Sequence, residues 1–297
     1  MAAPKSPGER LATPIFQLEP GAVIQQPTAS GRTEVRYPAG PTYRRMLLFF
    51  RKAAGAIPTR AELAAGIAEI KVVVSGEEVI SPLTGAQAIA LAEFYSGQDT
   101  SAQGVLELNW ERVWDRNPAE GRGAMLGTAD QTQVQVLIQY AGGSVLVALD
   151  AYSVIHPEPQ KAGVIAGVRL FQVPAGAAGT STFRDLPARG DNETLAALHL
   201  FPPTVADLTN VRYKADNVPV IDGDPRALDV YYQQSWPYRR PQRANGMVSL
   251  DFSAGGFIAE GVDMNKVAGH VLDLTFSAGY ATFPGLYEVA RPLASRI

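Results

Sequence analysis

Three histidines, His156, His199 and His270, are the whole supply of imidazole in this chain, and cysteine is absent. A zinc centre needs three or four closely spaced ligands, and a histidine general base needs a nucleophile or a carboxylate beside it. These histidines stand in three separate segments with no ligand spacing between them. The patterns H-E-x-x-H, G-x-S-x-G and G-x-x-x-x-G-K-[ST] do not occur. A Ser-His-Asp triad is defined by geometry rather than by spacing, so the sequence neither offers one nor forbids it.

Carboxylates give two further openings. Glycoside hydrolysis needs two acids about 5 to 10 Å apart, and the pairs Glu77/Glu78 and Asp222/Asp224 are the candidates. Asp222-Gly223-Asp224 also reads as an oxygen-bearing turn, but Ca²⁺ wants six or more oxygens and two carboxylates fall short. Gly121-Arg122-Gly123 with Gly127 has the spacing G-x-G-x-x-x-G without a surrounding βαβ pattern, which makes it a glycine-rich β-loop rather than a dinucleotide site. Arg189-Gly190-Asp191 is a three-letter match that chance explains. Trp236, Tyr238, Arg239, Arg240 and Arg243 form an aromatic and basic cluster of the composition that subunit interfaces concentrate, and they are the candidate subunit-contact residues. No residue emerges as catalytic, cofactor-binding or metal-binding.

The elements that would position these groups are mostly strands. Gly 28 and Pro 22 make about 17% of the 297 residues and punctuate short alternating runs. In Thr132 to Tyr140 the residues Val134, Val136, Ile138 and Tyr140 share one face. In Val271 to Ser277 Leu272, Leu274 and Phe276 do the same. No uncharged apolar run approaches the roughly 18 residues of a membrane span. The absence of cysteine points to a reducing compartment. Residues 1–60 hold nine Lys/Arg against three Glu, a balance of +6, which leaves 17 basic and 26 acidic residues, or −9, for the rest. Beyond residue 60 that balance argues against specific nucleic-acid binding. Residues 1–14, with Lys5, Glu9 and Arg10 among prolines and small residues, lack the apolar core of a secretory signal and read as a mobile arm.

The most informative pattern is a repeat. Phe16-Gln17-Leu18 returns as Phe171-Gln172-Val173, Thr33 to Pro38 as Thr182 to Pro187, and Met46 to Phe50 as Leu195 to Phe201. Pro58-Thr59-x-x-Glu62-Leu63 returns as Pro203-Thr204-x-x-Asp207-Leu208, in both cases a helix start with an N-cap threonine and an acid three residues on. Glu69 to Ile80 returns as Asn210 to Ile221, Ala90 to Tyr95 as Ala227 to Tyr232, and Gly104 to Trp110 as Gly246 to Phe252. The order is kept throughout, which implies one topology used twice: residues 15–157 and 158–297, joined by a proline-stiffened linker at about 156–163. Two all-β units with short helical insertions at equivalent places predict two tandem eight-stranded jelly rolls, a double jelly roll.

With that architecture in view, the phrases TEVRYPAGPTYRRMLLFF, IAEIKVVVSGEEVI, LAEFYSG, GVLELNW and LGTADQTQVQVLIQY between Thr33 and Tyr140 resemble the N-terminal domain of the corticovirus-type major capsid proteins. The second block resembles the partner barrel. The resemblance implies a coat protein of a tailless, membrane-containing icosahedral bacteriophage, found in the virion after synthesis in the host cytoplasm, and without enzymatic activity. It implies a homotrimer packed against neighbouring trimers, with minor capsid or vertex proteins and internal-membrane lipids as further partners. Members of that family can carry Ca²⁺, for which the sequence offers no dense acidic cluster and hence no assignable site. The alternatives are a carbohydrate-binding or carbohydrate-active β-sandwich and a receptor-binding spike.

Overall fold

A computed structural model describes residues 17–110, 125–184, 186, 193–235, 245–252, 261–264, 266–267 and 269–293. Its first half contains β1 (Gln17–Pro20), β2 (Ala22–Val23), β3 (Arg32–Tyr37), β4 (Thr42–Arg51), helix α1 (Arg60–Gly66), β5 (Ile67–Val74), β6 (Glu77–Leu83) and helix α2 (Gly85–Ser96). It continues through β7 (Val105–Asn109), β8 (Leu126–Gly127), β9 (Val134–Tyr140) and β10 (Ala148–His156). The second half contains β11 (Val164–Val173), β12 (Gly179–Phe183), β13 (Thr194–Leu200), β14 (Leu208–Ala215), β15 (Val218–Gly223) and helix α3 (Pro225–Ser235). It ends with β16 (Val248–Asp251), β17 (Val262–Asp263), β18 (His270–Phe276) and β19 (Phe283–Pro292).

Strand order shows the repeat directly. The first half places β1-β10-β4-β7 in one sheet and β6-β5-β9-β3 in the other, while the second places β11-β19-β13-β16 in one and β15-β14-β18-β12 in the other. Position by position the two arrangements are the same, and each is the jelly-roll order. One sheet from each half joins into a single ten-stranded sheet, through a parallel contact between β6 and β11 at Ile80 and Val168.

The alternation in the sequence explains the layers. Along β9, Val134, Val136, Ile138 and Tyr140 are buried, and along β18 so are Leu272, Leu274 and Phe276. These inward faces fill two cores. The first core also takes in Ile165, Val168, Met247 and Leu286 from the second half, so the two barrels share apolar packing.

Three details of the repeat differ from the sequence reading. Thr59 does cap a helix: its hydroxyl accepts from the Glu62 N–H, and Glu62 accepts in return from the Thr59 N–H at 2.7 Å. Thr204 makes no such bond, and the second copy has only a 3-10 turn, Val205–Asp207. The cause is length. From Thr59 to the start of β5 at Ile67 is eight residues, whereas from Thr204 to Leu208 is four, so about one helical turn is missing.

The other two are shifts of register. Helix α2 starts from Thr84 as N-cap, and α3 starts with Pro225 after Asp224, whose carboxylate accepts from the Arg226 N–H. Counted from these caps, Leu91 corresponds to Tyr231, three residues away from the phrase match; a step of three keeps residues on one helix face, so apolar pattern alone does not detect it. In the first strand, Leu18 lies opposite Val154 and Val168 opposite Glu288. Those ladders make Val168, not Val173, the counterpart of Leu18.

The connection at 156–163 is tied to the first barrel. Gln160 N–H donates to Thr42 Oγ1 (2.7 Å), Ala162 N–H to Asp130 Oδ1 (2.7 Å), and Thr42 Oγ1 to the Glu158 carbonyl (3.0 Å). Gly127 leaves room for it, since a Cβ there would stand 2.3 Å from the Lys161 carbonyl oxygen.

Candidate functional site

The groups that could do chemistry are placed by the strands into structural roles. Glu77 pairs with Arg291, and Glu78 accepts from Ser81 Oγ. Asp222 accepts from Arg212 Nε (2.7 Å) and Asn210 (3.1 Å), while Asp224 holds Arg226 and the start of α3. Neither pair faces a shared cleft as two free acids, and the Asp222–Asp224 turn has its carboxylates engaged by cations, a poor fit for Ca²⁺. Among the described residues no group of three or more His, Cys, Asp or Glu is placed to hold a metal ion.

The histidines divide in the same way. His156 Nδ1 accepts from the Glu158 N–H in the connection. His270 is buried beside the Tyr213 hydroxyl. His199, on β13, is fully buried, and it leads to a buried polar cluster that spans the two barrels.

That cluster is built by α2, which follows β6 and so lies at the barrel edge that meets the second half. Its Tyr95 hydroxyl donates to Glu288 of β19 and lies 3.2 Å from His199 Nε2. His199 Nδ1 is 2.9 Å from Ser249 Oγ of β16, and the Phe94 ring meets the imidazole edge-on with centroids 5.0 Å apart. Two residues before Tyr95, Glu93 pairs with Arg60 of α1 and accepts from Asn245, and Arg60 also reaches Asp99 (3.2 Å) and Ser101 Oγ (3.1 Å). Buried charges of this kind persist only when paired and hydrogen-bonded. A cavity of about 30 Å³ beside them is lined by Leu91 and Tyr95 of α2, Glu107 of β7 and Glu288. Burial holds the Glu107 carboxyl above the ordinary carboxylate range, against the opposing pull of Arg45 at 3.0 Å. The arrangement locks two barrels together; among the described residues of this cluster no nucleophile and base converge on an open pocket.

Tyr95, Glu288 and Glu93 were not singled out by the sequence reading. A signal existed in Glu288, a lone acid inside the apolar strand Phe283 to Pro292. Trp236, Tyr238, Arg239, Arg240 and Arg243 lie outside the described residues, as do the arm 1–14, Arg122 and Arg189-Gly190-Asp191.

Comparison with known proteins agrees with this architecture. The family model of the viral coat protein P2 N-terminal domain matches residues 22–156, and that of the viral coat protein P2 C-terminal domain matches residues 165–293. The fold is similar to the crystal structure of the major capsid protein P2 from bacteriophage PM2, with TM-score 0.77 and 16% identity over 94% of this chain and 98% of that one. It is also similar to the STIV major capsid protein, with TM-score 0.66 and 13% identity over 93% and 96%. A third likeness is to PBCV-1 VP54 as fitted into a reconstruction of the virophage Sputnik, with TM-score 0.59 and 10% identity over 92% and 93%. No curated protein sequence matches. Two jelly rolls of one topology, locked by a buried polar joint and each matched by its own coat-protein domain model, place the chain in the viral coat protein P2 family: it is a double jelly-roll major capsid protein.

Proposed function

We propose that the chain assembles as a homotrimer whose six barrels give a threefold object a near-hexagonal outline, and that such trimers tile an icosahedral shell over an internal membrane. The observation that supports this reading most is the strand-for-strand repetition of one jelly roll within a single chain. Three chains then present six similar units around one axis, and closed rotational symmetry is the common route to finite assemblies. The units are residues 15–157 and 158–297. The chemistry asked of the protein is burial between copies rather than catalysis. Trp236, Tyr238, Arg239, Arg240 and Arg243 serve as subunit contacts in this reading, neighbouring trimers and minor capsid or vertex proteins are partners, and the protein is made in the host cytoplasm. The +6 balance of residues 1–60 favours anionic lipid headgroups on the inner side.

Light scattering on the purified chain tests the trimer. Three times 31.7 kDa, about 95 kDa, with growth into sheets or shells is expected; a 31.7 kDa monomer that binds glycans would overturn it in favour of a carbohydrate-binding sandwich. Flotation with anionic vesicles that is unchanged by deleting residues 2–14 would remove the arm from the lipid contact.

A further inference from the structure

The outer face of the β3-β9-β5 sheet in the first barrel carries an ordered charge pattern. On each strand every second residue points away from the core, and the ladders set these residues in rows. Arg32 of β3, Gln139 of β9 and Glu69 of β5 form the first row, and Glu34, Leu137 and Lys71 form the second. In the third, Arg36 and Val73 flank Gln135, and Val73 lies opposite Glu78 of β6. Along the strands, the β3 side therefore runs plus, minus, plus, and the β5-β6 side runs minus, plus, minus. Between them the outward residues of β9 are uncharged.

These groups are within reach of a partner. Arg32, Arg36 and Glu78 are exposed, and Glu34, Leu137, Glu69 and Lys71 are half-buried. Their own ion pairs stay on one side of β9: Arg36 Nε donates to Glu34 (2.6 Å), and Lys71 stands 3.9 Å from Glu69 and 4.0 Å from Glu78. Arg32 Nε donates to the neutral Gln139 (2.6 Å). Among the described residues no ion pair crosses β9, so each side keeps its pattern. A groove of about 340 Å³ lies over the face, lined by Leu137 and by Ile24, which is 54% exposed. The corresponding face of the second barrel is different. There β12 presents Thr180 and Thr182 beside Thr275 and Asp273 of β18, and β14 adds Asn210 and Arg212, so one side is neutral.

A pattern that changes sign across its middle strand is complementary to itself under one rotation. A twofold axis along β9 lays the β3 side of one copy on the β5-β6 side of another: Arg32 meets Glu69, Glu34 meets Lys71, Arg36 meets Glu78, and Leu137 meets its own copy on the axis. A twofold axis across the strands would instead set Glu34 against Glu34 and Arg32 against Arg36, and like charges repel. The favoured rotation also preserves strand direction. Both copies then keep the same barrel end on the same side, as two tiles of one shell must. We infer that the β3-β9-β5 face docks on the same face of a second copy across a twofold axis along β9. A threefold axis generates no such pair, so the second copy belongs to a neighbouring trimer. The inference rests on the reading of the chain as a trimeric tile and supplies the surface on which tiles meet.

Charge reversal read by light scattering tests it. Glu34→Lys alone, or Lys71→Glu alone, sets like charges opposite each other at both ends of the second row. Each variant should melt as the parent chain does but stop at three times 31.7 kDa where the parent grows larger. The double variant Glu34→Lys/Lys71→Glu restores opposite charges across the axis and should grow again, as should a mixture of the two single variants. Growth of the parent should weaken as salt rises, because exposed pairs are screened. The chain has no cysteine, so Leu137→Cys places one thiol on the axis. A short bis-maleimide should join it at high concentration into species of twice 31.7 kDa, and Lys71→Glu added to it should abolish them. Leu137→Cys trimers that stay unlinked, single reversals that grow as the parent does, or a double variant as blocked as the singles each overturn the contact. Each leaves the trimer standing and the face to another occupant. A parent chain that never exceeds a monomer while Leu137→Cys still pairs upholds the contact and overturns the trimer, and a monomer that does not pair overturns both.

Discussion

The Tyr95 hydroxyl donates to the Glu288 carboxylate across 193 residues of sequence, and this one bond connects the helix that follows β6 to the last strand of the fold. Glu288 is 1% exposed, so the donor matters more than it would at the surface. Tyr95→Phe removes it while keeping the ring against Phe94 and His199. Hydrogen bonds to buried charged groups contribute roughly 1.5 to 3 kcal/mol, and urea unfolding should show a loss in that range. An unchanged midpoint would mean that the bond does not hold the barrels together.

The two threonines of the Pro-Thr-x-x-acid-Leu phrase should behave differently. Thr59→Ala should cost about 1 kcal/mol, because a helix N-cap bond is lost. Thr204→Ala should stay within roughly 0.5 kcal/mol, since that hydroxyl caps nothing. Equal losses by thermal or urea unfolding would contradict the structural difference.

Glu62 reports on the same cap through its acidity. Its hydrogen bond to Lys52, and then those to Thr59, pull the carboxyl down to about 2. A depressed carboxylate stabilises the fold above its ordinary value of 4.5 and loses that contribution as pH falls through about 2. The NMR titration of the Glu62 carboxyl should therefore have its midpoint far below 4.5 and move back up in Lys52→Ala. A midpoint already near 4.5 in the parent chain would show that the cap is not formed.

Glu107 carries the opposite sign. Burial raises its pKa, so its ionised form weighs against folding at neutral pH, and stability recovers as pH falls through the raised value toward the ordinary one. Removing Arg45 leaves that charge with less compensation. Arg45→Ala should cost about 1 to 3 kcal/mol at pH 7, less than breaking a fully buried pair because the arginine is partly exposed. The deficit should shrink as pH is lowered and the carboxyl takes up its proton. A deficit independent of pH would assign the loss to packing instead.

Gly127→Ala tests the anchoring of the connection. The added methyl meets backbone oxygens of Lys161 and Gln160, which cannot rotate away as a side chain would. Overpacking of this kind costs roughly 1 to 3 kcal/mol. Amide exchange should speed up at Gln160 and Ala162, the N–H groups bonded to Thr42 and Asp130. Unchanged exchange would show that the connection yields without losing its hold.

The repeat was legible because strands alternate with period two and the phrase at Thr59 carries its own cap, so both survive as letters. The missing turn after Thr204 was not legible, because the cap phrase is present where the segment before the next strand is four residues shorter and forms only a 3-10 turn. Nor was the three-residue shift between α2 and α3, since neighbouring turns of a helix present the same apolar face. The joint itself lay beyond reach: Tyr95, His199, Ser249 and Glu288 sit on four elements, and only the folded register brings them within hydrogen-bonding distance.

Strand β19, the last among the described residues, lies in the middle of its sheet between β11 and β13, and it supplies Leu286 and Glu288 to the joint with α2. The joint at α2 thus lacks its Leu286 and Glu288 contacts until β19 has been made. A chain terminated before Phe283 lacks both the central strand of one sheet and the acid that receives Tyr95. A product that stops short of β19 therefore cannot complete its own interior.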